Sequence, residues 1–139
     1  MTLEKLTSQE ALIYIMVTTS AADASMSTKE LQSIADIVSH YPVFCDFDFD
    51  RLDSLAAECY TYLEQSDGIE QILDVTQVAL PQKLRETAYA LAVEVAASDL
   101  DVKQEELQFL QMMRDRWELD DLTSAAIERS ARIRFRKRY

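Results

Sequence analysis

The chain has 139 residues, is 48% hydrophobic, contains one Gly and two Pro, and carries a net charge of −11. That length suits one domain with a real core, taken here as residues 1–139, and the hydrophobic share excludes disorder as the default state. Scarce Gly and Pro argue against hairpin-rich sheets and for long helices with polar connections, and the single His leaves most nucleophilic and nucleotide-binding motifs without their residues.

"LTSQEALIYIMVTTSAAD" opens with Thr7 and Glu10 in capping-box spacing and then turns apolar on nearly every side. It predicts a buried first helix over about 8–22. "STKELQSIADIVSHYP" repeats the capping signal with Ser27 and Glu30. Leu31, Ile34, Val38 and Tyr41 line one face of this second helix, and Pro42 stops it. "VFCDFDFDRL" reads as a loop ending in an N-cap at Asp48 or Asp50, with its phenylalanines tucked beneath.

A third helix places Leu52, Leu55, Ala56, Cys59 and Leu63 inward, and Gly68 marks a break. Ile69, Ile72, Leu73, Thr76 and Leu80 carry the fourth. Pro81 suits the first turn of a fifth, on which Leu84, Ala88, Leu91 and Val95 share a face. A sixth runs from about Val102 to Trp117, with Leu110, Met113 and Trp117 inward. A seventh is capped by Asp120 or Asp121, and Ile133 continues its apolar stripe. The expected fold is therefore all-α, a single bundle of about seven helices.

The charge is uneven. Six of the 14 basic residues fall in the last eleven positions, "RSARIRFRKRY", and no acid does. Residues 1–128 carry −17. Such a body repels nucleic-acid phosphates and oxyanions and attracts cations. Read as helix, the tail sets Arg129, Arg132 and Arg136 on one face. It is either a seventh helix whose cations complement its own C-terminal carbonyls, or a docking arm for an acidic partner or an anionic surface.

The longest clean apolar run, "ALIYIMV", is far short of the ~20 residues a membrane span needs. The N-terminus is polar and acidic and does not read as a signal peptide. The expected setting is cytoplasmic, with Cys45 and Cys59 as reduced thiols.

Two phrases resemble one another. "ADASMSTKEL" (22–31) and "SDLDVKQEEL" (98–107) align Asp23 with Asp99, Met26 with Val102, Glu30 with Glu106 and Leu31 with Leu107. Each follows an apolar helix, and the offset of 76 suggests a duplicated helical hairpin relating about 8–38 to about 84–114. The second phrase is not an EF-hand: counted from Asp99, position 5 is Lys103, position 6 is Gln104 and position 12 is Leu110. A di-iron bundle needs Glu-x-x-His, and Ile37 stands three before His40, the one histidine. Two readings stay open. In one, Asp23 and Asp99 cap the next helix and accept its backbone N–H groups. In the other, Asp23, Glu30, Asp99, Asp101 and Glu106 crowd at one end of the bundle and hold a divalent cation weakly.

At these residues the chain resembles the TerB family of tellurite-resistance proteins, a module that also occurs as a domain in a membrane-anchored DnaJ-like co-chaperone. The match rests on Ala22, Asp23, Met26, Glu30 and Leu31, and on Asp99, Val102, Glu106 and Leu107. Where the family writes Asp-Gly, this chain has Ala24 and Leu100. The resemblance implies an all-α bundle without enzymatic activity, acting in stress or tellurium-oxyanion resistance. A divalent cation, calcium or manganese, is the implied cofactor and a protein the implied partner. A scaffold for protein–protein contacts with no metal role is the competing expectation.

Overall fold

The computed structural model describes residues 5–21, 28–98 and 104–138, and within them all regular structure is helical, without strands. The helices are α1 (Ser8–Ser20), α2 (Thr28–His40), α3 (Leu52–Leu63), α4 (Gly68–Ala79), α5 (Gln82–Ser98), α6 (Gln104–Arg116) and α7 (Asp121–Arg134).

The first helix starts where its capping box requires. Thr7 Oγ1 accepts the Glu10 N–H at 3.1 Å, and Glu10 Oε1 accepts the Thr7 N–H at 2.8 Å, so two otherwise orphaned donors are satisfied. Every residue from Ala11 to Ser20 is buried. A helix apolar all round must be wrapped by others, and α1 is packed by α2, α3, α4, α5 and α6.

The last residues of α2 and α6, His40 and Arg116, are 76 apart, the same offset as the two sequence phrases, whereas α1 and α5 differ in length at 13 and 17 residues. Buried Ile34 and Ile37 of α2 correspond to buried Leu110 and Met113 of α6. The first helices of the two hairpins, α1 and α5, pack on each other, while α2 and α6 each touch both. Exchanging the hairpins leaves this pattern of neighbours unchanged, as a pseudo-twofold relation requires. α3 and α4 then cover α1, and α7 covers α5.

The loop between α2 and α3 is more ordered than a plain connection. Pro42–Phe44 and Phe49–Arg51 form short 3-10 turns, and Asp48 caps the second by accepting the Asp50 N–H at 3.1 Å. Phe44 is buried and Phe47 half-buried, but Phe49 is exposed, so not all three phenylalanines are tucked in. Asp46 turns the chain with φ 69°. Gly68 lets α3 and α4 close up: a Cβ there would lie 2.0 Å from the Tyr62 carbonyl oxygen.

Asp120 caps α7, its carboxylate accepting the Thr123 N–H at 2.9 Å. Those hydrogen bonds hold the Asp120 carboxyl below the usual aspartate range. The inward residues of α7 are Ser124, Ile127 and Ala131. Ile133 is half exposed and does not continue the buried stripe as expected, because the packed face turns toward α5 at Ala131. Arg134 reaches Glu94 of α5 at 3.0 Å. That carboxylate also accepts the Tyr41 hydroxyl at 2.5 Å, which with burial pushes the tyrosine up to about 12.

Candidate cation site at the hairpin corners

Glu30 and Glu106 stand in the first turns of α2 and α6, where a negative charge opposes the helix dipole favourably. Although 76 residues apart, they line one small cavity of about 90 Å³. Ser20 of α1, Lys29 and Ser33 of α2, and Val95 and Ser98 of α5 complete its wall. Glu106 is only 3% exposed, an unusual position for a carboxylate, and Glu30 is half-buried.

Because α1 packs on α5, the C-terminal ends of both first helices and the N-terminal turns of both second helices meet at one end of the bundle. Ser20 and Ser98 come from those C-terminal ends. Ser20 Oγ is buried and has no hydrogen-bond partner among the described residues. A buried hydroxyl without a partner is costly, and an oxygen-seeking ligand in the cavity would relieve it.

The donors here are carboxylate and hydroxyl oxygens, which suit a hard cation such as calcium or manganese. Lys29 places an ammonium in the same wall and opposes a second cation. Asp23, Asp99 and Asp101, the other sequence candidates, lie outside the described residues, as does the expected cap Ser27. Asp99 directly follows Ser98 of the cavity wall. Among the described residues no three His, Cys, Asp or Glu side chains group closely enough to hold a metal.

Ser20, Lys29 and Ser33 were not legible as site residues from residue type. Ser33 could have been found by helical spacing, since it stands three after Glu30. His40 closes α2, its Nδ1 2.7 Å from the Asp36 carbonyl oxygen, far along the helix from this cavity. Cys45 and Cys59 are free thiols. Cys59 is buried beside Thr18, and burial pushes its thiol up to about 12. Among the described residues no helix is long and apolar enough to cross a membrane.

Comparison with family models, with curated proteins and with solved structures finds no match to this chain.

Proposed function

We propose that this chain is a non-enzymatic acidic helical module of the tellurite- and stress-resistance type, akin to the TerB family, which binds a divalent cation weakly where its two hairpin corners meet. The observation that carries this reading is the shared cavity of Glu30 and Glu106, the two glutamates that the repeat places in equivalent positions. Two carboxylates and three hydroxyls supply oxygen donors only, as calcium or manganese requires. Asp23, Asp99 and Asp101 are the further ligands proposed, since they adjoin the same corners in sequence. Affinity is weak because Lys29 competes and no 12-residue loop forms a closed cage.

A tellurium oxyanion is a poor direct ligand for a body at −17. The cation would have to bridge it, or the stress role would run through a protein partner. The test is thermal unfolding with added calcium or manganese. A ligand that binds the native state alone raises Tm with its concentration. Glu30→Gln with Glu106→Gln should abolish that rise, whereas magnesium-free buffer with potassium at equal ionic strength should give none. A Tm that responds equally in the double variant leaves the module as a scaffold with no metal role.

A further inference from the structure

The seating of α6 and α7 on α5 leaves a second and larger concavity. Both helices pack on α5 but make little contact with each other. Between them runs a trough of about 830 Å³, within the range of small-ligand sites. Val93 and Ala96 of α5, Leu110 of α6 and Ala131 of α7 form its floor, with Leu107 and Phe135 at the mouth. Leu107 is 49% and Phe135 41% exposed, so two large apolar groups border one opening. Its lining also holds a polar cluster: Glu128 accepts the Tyr89 hydroxyl at 2.6 Å and Arg114 Nη1 at 2.5 Å.

The charges on this trough run against those of the body. Among the described residues Glu128 is the one carboxylate in its wall, and Arg114 pairs with it. Arg132 and Arg136, also in the wall, are exposed and form no ion pair among the described residues. They sit beside apolar surface, where an anionic head group on an apolar tail would satisfy both.

The shape selects among anionic partners. Val93 at 6% and Ala96 at 4% exposed leave only a narrow strip of apolar surface between the more exposed Leu107 and Phe135. A single alkyl chain, far slimmer than the about 10–12 Å of a helix with its side chains, matches such a strip. We propose that the α5–α6–α7 trough binds a single-chain anionic amphiphile of the fatty-acid type, with its alkyl chain along Val93, Ala96 and Leu107 and its carboxylate on Arg132 and Arg136. This site is independent of the cation cavity, which uses Val95 and Ser98 of α5 instead.

The test is an amide NMR titration of the full chain with sodium dodecanoate below its micelle concentration, beside dodecyltrimethylammonium of equal chain length. Dodecanoate should shift Val93, Ala97, Leu107, Ala131 and Phe135 saturably, and the cationic amphiphile should not. Arg132→Glu with Arg136→Glu should weaken dodecanoate at least about tenfold, and added salt should weaken the wild type. Ala97→Trp, which fills the trough, should block it while the circular dichroism spectrum stays helical. Equal response to both amphiphiles, loss of dispersion across the whole spectrum, or no response overturns the proposal. So do shifts at these residues that depend on protein concentration alone, which would make the trough a contact between copies of this chain.

Discussion

Gly68→Ala should destabilise the protein, although alanine is the better helix former. Gly68 is the only glycine in the chain and opens α4. An ideal Cβ there meets the Tyr62 carbonyl oxygen at 2.0 Å, its carbon at 2.8 Å and Leu63 Cα at 3.0 Å. Ordinary carbon–oxygen approach is about 3.3 Å or more, so the end of α3 must withdraw by roughly 1 Å. All three opposing atoms are backbone and cannot rotate away. Overpacking of this kind costs about 1–3 kcal/mol. Against it, alanine reduces unfolded-state entropy and gains about 0.4–1 kcal/mol. The net loss is then about 1–2 kcal/mol, a fall in Tm of roughly 3–8 °C for a domain of this size. Far-UV circular dichroism during heating and in urea would measure it, with an unchanged m-value expected. An unchanged or raised midpoint would show that the α3–α4 junction opens freely and that the close approach is not needed.

Acid should weaken the α1 cap. Burial raises the Glu10 carboxyl, but the Thr7 N–H and Arg51 outweigh it and leave the group lowered. Its contribution is therefore present above the usual carboxylate range and lost as pH falls through the lowered value, so Glu10→Gln should flatten the acid limb of a stability–pH curve. The two thiols should differ: a thiol reagent at neutral pH should titrate exposed Cys45 at once and Cys59 only on unfolding, since burial holds Cys59 protonated. Deleting residues 130–139 removes buried Ala131 and the Arg134–Glu94 pair, so a large loss of thermal stability is expected. Unchanged stability would instead mark the tail as a free docking arm.

Helix starts were the most legible part of the sequence, because capping depends on a few adjacent residues. Thr7 and Glu10 act as their spacing predicts, and of the two acids offered for the start of α7 Asp120 is the cap. The repeat offset was legible too, and it anticipated that Glu30 and Glu106 would share a location. Ile133 was misread because helical periodicity gives a face but not which neighbour covers it, and α5 meets α7 at Ala131 instead. Phe49 was misread for a similar reason, since loop residues lack a period to assign their side. The trough was invisible in sequence. It arises from how far apart α6 and α7 sit on α5, a tertiary distance that no local pattern encodes. Unexpected burial of Glu106 likewise depends on α1 and α5 bringing two corners together.

The most direct test of the central claim is an amide NMR titration with calcium, repeated with manganese and read as line broadening. If the two corners form one cation site, both ions should act first on Ser20, Glu30, Ser98 and Glu106 together, with one midpoint, and Glu30→Gln should remove the response at Glu106. Independent midpoints at the two corners, effects scattered over the acidic surface, or no change at millimolar ion would contradict it.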